Sequence, residues 1–174
     1  MATDTFPPEK LANIAREVSE LLKEKEKSVA VAETAAGGLI SASLLATPGA
    51  SSIYKGGLTL YTLESRMAYA GWTEATLKDY RGPTTEIVAG LAEHTRKTLG
   101  ASYVVSESGT AGPSGGTTKN RTPGYVALAV SSEQGTYKRE LDTGCGKDRQ
   151  ANMVAFAVEA LTLLRDVLKG DAKL

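Results

Sequence analysis

The sequence holds one cysteine, Cys145, and one histidine, His94. A single thiol excludes an internal disulfide, and one imidazole beside it leaves no Cys/His set for zinc. Long apolar runs are missing too. No stretch approaches the roughly 20 residues of a membrane span, and "MATDTFPPEK" lacks the apolar centre of a secretion signal. Charge of one sign is also absent: 20 Lys and Arg balance 20 Asp and Glu, so no overall field favours nucleic acid or an anionic membrane. These absences predict a cytoplasmic protein that holds no metal or cofactor and has neither a nucleic-acid nor a membrane partner.

What is present suits a folded domain. A chain of 174 residues with 41% hydrophobic and 23% charged content can bury roughly two-thirds of its unfolded surface in one core. Pro7-Pro8 closes a short arm, residues 1–8, and the domain covers 9–170. Glu9 to about Lys25 predicts a helix, with Leu11, Ile14, Val18, Leu21 and Leu22 along one stripe. Val29 to Ala32 predicts an interior strand, and Leu39 to Leu45 a helix stopped by "TPGASS".

"GGLTLYT" predicts a second strand and "LESRMAYAGW" a helix ending near Gly71. Glu86 to Leu99 predicts a helix with Gly100 as its C-cap; His94 falls on its mostly polar side and reads as a surface residue. "ASYVVSES" predicts a third strand, and "YVALAVSS" with "TYKRELDT" a hairpin through Glu133 to Gly135. A last helix begins near Asp148. Strands alternating with helices, followed by a hairpin, predict a single-domain three-layer α/β sandwich with a mixed sheet flanked by helices.

Two turns carry the chemistry. "ETAAGG" follows the first strand and "SGTAGPSGGTT" the third. Glycines let backbone approach a ligand, helix N-terminal amides attract anions, and strand ends of open α/β sheets expose functional side chains. The pair points to a phosphate-bearing ligand between them. Taken singly, each turn is better explained as a tight connection needing positive φ; it is the pair that favours a ligand. No GxxxxGK[ST] or GxGxxG occurs, so neither standard phosphate fingerprint applies.

The order and spacing of these pieces resemble the C-terminal domain of the CinA family over about Leu11 to Leu168. The family's "ESxTGG" is matched by Glu33-Thr34-Ala35-Ala36-Gly37-Gly38, and its "PGSS" by Pro48-Gly49-Ala50-Ser51. Its "TYSNEAK" is matched by Thr59 to Arg66, its "TGxAGPxGG" by Ser108 to Gly116, and its "GDR" by Lys147-Asp148-Arg149. Bacterial members often carry a molybdopterin-binding-like domain before this one, which the sequence does not contain.

The resemblance implies deamidation of nicotinamide mononucleotide, or a related amide, to nicotinate mononucleotide and ammonia, without a cofactor and in a homo-oligomer. It places the nucleophile at Thr34 and the activating group at Arg66, where the family has serine and lysine. It also implies ligand contacts from Glu33, Gly37, Gly38, Ser108, Gly109, Gly112 and Arg149. Amides near Gly37 and Gly38 would stabilise an oxyanion.

Both departures bear on chemistry. Thr34 keeps a hydroxyl, but its methyl restricts χ1. An arginine at position 66 carries its charge permanently and has no acceptor atom, so it cannot take a proton from Thr34. Tyr61, Glu33, Glu64 or a bound water would have to replace it. Two expectations follow: an amidohydrolase that relays its proton through Tyr61 or water, or a non-catalytic pyridine-nucleotide-binding protein on the same pocket. Arg121, after the second turn, matches a basic family position with an offset.

Overall fold

The computed structural model describes residues 5–174; residues 1–4 of the expected arm lie outside the described residues. The first helix, α1, runs Glu9–Glu24 and turns Leu11, Ile14, Val18 and Leu22 inward, the stripe expected from their spacing. Five strands make one sheet: β1 (Val29–Glu33), β2 (Tyr54–Thr59), β3 (Tyr103–Gly109), β4 (Tyr125–Ser132) and β5 (Gly135–Asp142). Their order is β2-β1-β3-β4-β5. β1 is parallel to β2 and β3, whereas β4 and β5 form an antiparallel hairpin joined to β3. The sheet is mixed and covered by helices on both faces, the expected sandwich.

Side-chain size decides which helices cover which face. Val29, Val31, Val105, Val126, Leu128 and Val130 point to one side, where α1, α2 (Leu39–Leu45) and α6 (Arg149–Lys169) pack. Ala30, Ala127 and Ala129 point to the other, where α5 (Thr85–Leu99) lies close against the sheet. Alternation of branched and small residues therefore lets a single helix approach one face while a thicker layer fills the other. Each fully buried Leu or Phe, such as Leu128 or Phe156, contributes roughly 1.5–3 kcal/mol. The outer strands are β2 and β5, and β5 carries Lys138, Arg139 and Glu140, charges that discourage edge pairing.

The region after β2 differs from expectation. The strand stops at Thr59 because Thr62 caps the next helix, α3 (Leu63–Tyr69), accepting the Ser65 amide at 3.2 Å. Leu60, Tyr61 and Thr62 are consequently loop rather than strand. A short helix, α4 (Glu74–Asp79), capped by Thr73, was not anticipated, because six residues are too few to show a 3.6-residue period. His94 is half-buried: it packs against Gly71, where an added Cβ would lie 2.8 Å from its Nδ1.

α2 and α5 lie on opposite faces. The chain leaves β1 on one side of the sheet and returns to β3 on the other, which opens a crevice at the carboxyl ends of these parallel strands. The two glycine-rich turns emerge there.

Candidate functional site

Register brings the turns together. Glu33 pairs with Glu107 across β1 and β3, so Thr34 leaves the sheet beside Ser108, which stays paired with Ala127 of β4. Thr34 Oγ1 donates to Ser108 Oγ at 3.1 Å, and both residues are buried. The alternation of a strand puts the two glutamates on the opposite side, under the first turn. Glu107 Oε1 accepts the amides of Thr34 at 2.6 Å and Ala36 at 2.7 Å. Glu33 takes the amides of Ile40 and Ser41, each at 3.0 Å, and so holds the first turn of α2.

Glu107 is the unusual group. Burial raises its pKa from 4.5 to about 7; the Ala36 and Thr34 amides and Arg66 pull it down, and Glu33 pushes it up. Its second oxygen, Oε2, has no hydrogen-bond partner. A carboxyl that titrates near neutrality therefore supports the backbone of the candidate nucleophile.

A cleft of about 390 Å³ opens on the other side of the turns, within the size range of small-molecule sites. Thr34, Ala35, Ser108 and Gly109 form one wall, and Tyr61, Arg66, Tyr80 and Arg121 contribute to the rest. Arg66 is 4% exposed. Its Nε donates to the Leu60 carbonyl at 3.1 Å, its guanidinium carbon lies 5.2 Å from the Trp72 ring and 5.3 Å from that of Tyr80, and Nη1 has no partner. Tyr61 is 60% exposed at the mouth. Arg149 Nη2 donates to its hydroxyl at 3.1 Å, while Nη1 donates to the Gly112 carbonyl at 2.7 Å.

Comparison with known proteins places this arrangement. The family model for the CinA C-terminal domain matches residues 11–168. The chain belongs to the CinA C-terminal domain family. A CinA-like protein of Thermotoga maritima is 37% identical over 153 residues, which cover 88% of this chain and 36% of that protein. A CinA-like protein of Shewanella sediminis is 32% identical over 164 residues, 94% of this chain and 38% of its own length. The chain thus spans about a third of the curated relatives it matches.

Among solved structures, the competence/damage inducible protein CihA from Agrobacterium tumefaciens superposes with a TM-score of 0.86 at 25% identity, covering 95% of this chain and 99% of that one. A competence or damage-inducible protein from Enterobacter asburiae gives 0.82 at 23% identity, over 91% and 98% of the two chains, and supports the fold.

The CinA-like motif residues divide into two groups. Thr34, Tyr61, Arg66, Ser108 and Gly109 line the cleft. The others build it from behind. Glu33, expected to contact ligand, is fully buried with both oxygens committed to amides. Gly37 and Gly38 adopt φ of +68° and +102° to turn the chain into α2, and the Gly37 amide donates to the Thr34 carbonyl. They do not line the cleft, whereas Ala35 does, and its amide enters none of these bonds. Gly112 and Arg149 join the second turn to the start of α6 and to Tyr61, bracing the mouth.

Reading the sequence passed over Glu107, Tyr80 and Asn152. Glu107 did leave a signal, as the one charged side chain in an otherwise uncharged strand. Asn152 is fully buried, donates to the carbonyls of Ala111 and Gly146 at 2.9 and 2.8 Å, and accepts from Thr143. Nothing in a helical pattern marks an asparagine as the tie between α6 and a distant turn. Arg121, noted with an offset, reaches the cleft. Among the described residues no helix is long and apolar enough to cross a membrane.

Proposed function

We propose that the cleft binds a pyridine mononucleotide and that amide hydrolysis is silent in this chain. The observation that carries this reading is the environment of Thr34. Its hydroxyl donates to another hydroxyl, Ser108, and the group at the family's activating position is a guanidinium tied to the Leu60 carbonyl. Neither group can serve as the base: a serine hydroxyl is a poor one, and arginine has no acceptor atom. Tyr61 does not replace them, since its hydroxyl is engaged with Arg149 at the mouth. Loss of a positioned base costs about 10²- to 10⁴-fold in rate.

The binding half of the reading rests on what remains. The cleft offers two tyrosine rings, Tyr61 and Tyr80, to a flat heterocycle and two cations, Arg66 and Arg121, to anionic groups. The nucleotide itself is what the family resemblance implies. Hydrolysis with Thr34 as nucleophile is the second reading. It is favoured by the uncommitted amide of Ala35, a cleft-lining residue next to Thr34 in the chain, as a candidate oxyanion donor.

The two separate when purified protein is mixed with nicotinamide mononucleotide while heat and ammonia are followed independently. Binding heat with no ammonia beyond that of Thr34→Ala is the expected result. Ammonia release that disappears in Thr34→Ala establishes the hydrolase instead.

A further inference from the structure

Arg66 is a buried cation without a complete set of partners. One donor is spent on Leu60, the aromatic faces of Trp72 and Tyr80 hold the guanidinium in place, and Nη1 is free. Among the described residues no carboxylate oxygen lies within 4.0 Å of it. Glu33 spends both oxygens on backbone amides; Glu107 spends Oε1 on amides and feels Arg66 only as a nearby charge, its free Oε2 making no bond to the guanidinium. A buried cation left this way is costly until an anion reaches it. The cleft is where that anion can enter, because Arg66 forms part of its lining together with the hydroxyl-bearing Thr34 and Ser108.

The chemistry of the donors favours one ligand group over another. A guanidinium offers only N–H groups. A carboxamide turned toward it matches with its oxygen, but its NH₂ then faces further donors. A carboxylate presents an acceptor at both positions and gains a charge-assisted bond. Contact with the Trp72 and Tyr80 rings, which pack edge to face against each other, keeps the guanidinium from swinging away to accommodate the amide.

We infer that the Arg66 end of the cleft selects a carboxylate. Resting on the nucleotide reading above, this makes the preferred ligand a pyridine-carboxylate nucleotide, the deamidated form, rather than the carboxamide. The site then responds to the product side of the family reaction.

The test is titration calorimetry at pH 7 with nicotinate mononucleotide and nicotinamide mononucleotide, on the wild type, Arg66→Met and Arg66→Lys. The carboxylate nucleotide is expected to bind about tenfold or more tightly, equivalent to about 1.4 kcal/mol. Arg66→Met should erase the ratio, and Arg66→Lys should retain part of it. Equal affinities in the wild type, or preference for the amide, overturn carboxylate selection and leave the nucleotide site standing. A ratio that persists in folded Arg66→Met also overturns it. No binding of either nucleotide overturns the nucleotide reading and this inference with it. Should Arg66→Met fail to fold, the wild-type and Arg66→Lys ratios still decide.

Discussion

Glu107 holds the Thr34 amide at 2.6 Å through an oxygen that also takes the Ala36 amide. The backbone carrying the Thr34 hydroxyl is thereby anchored to an acid that burial has pushed to about 7. A raised carboxyl binds its proton more tightly in the folded state than in the unfolded chain. Its contribution to stability is complete below 4.5 and is lost as pH rises through about 7.

Replacement by an uncharged isostere should remove that dependence. Glu107→Gln keeps an oxygen for the two amides and cannot ionise. A rise from 4.5 to about 7, at about 1.4 kcal/mol per pH unit, corresponds to on the order of 3 kcal/mol. Urea unfolding of wild type and Glu107→Gln between pH 4.5 and 8 checks this. The difference should shift in favour of the variant by that order as pH rises.

Asn152 tests how the second turn is held. Truncation to alanine strands the Ala111 and Gly146 carbonyls and removes the acceptor of Thr143. The expected loss is about 2–4 kcal/mol by denaturant titration, with weaker ligand binding because the turn that follows Ser108 and Gly109 loosens.

Gly109 probes close approach rather than backbone freedom. A Cβ there would sit 2.6 Å from the Tyr125 carbonyl oxygen and 2.8 Å from the Phe156 ring. Gly109→Ala should destabilise by about 1–3 kcal/mol, measured by thermal or urea unfolding, since neither a strand carbonyl nor a core ring yields easily.

How much of this was legible beforehand follows from the range of each interaction. α1, α2 and α5 show their stripes or caps within a dozen residues, so their spans could be read locally. The pairing of Thr34 with Ser108 follows from two strand ends meeting, which the placement of a glycine-rich turn after each of those strands suggested. The backing role of Glu33 and Glu107 was hidden, because it depends on which sheet face each side chain occupies and on amides several residues away. Gly37 and Gly38 looked like ligand contacts because a glycine used for positive φ and one used for ligand approach are identical in sequence. α4 was invisible for its shortness, and Asn152 for the distance in sequence to Ala111, 41 residues away.

The central claim is that residues 34 and 66 silence a cleft otherwise built for its ligand. Ammonia release from nicotinamide mononucleotide by the Thr34→Ser, Arg66→Lys double variant tests it most directly. A buried lysine loses its proton more readily than arginine and can activate the less hindered serine. The account predicts that the double variant exceeds wild type by on the order of 10²-fold or more. Wild-type turnover that equals or exceeds that of the folded double variant, and that vanishes in Thr34→Ala, would contradict it.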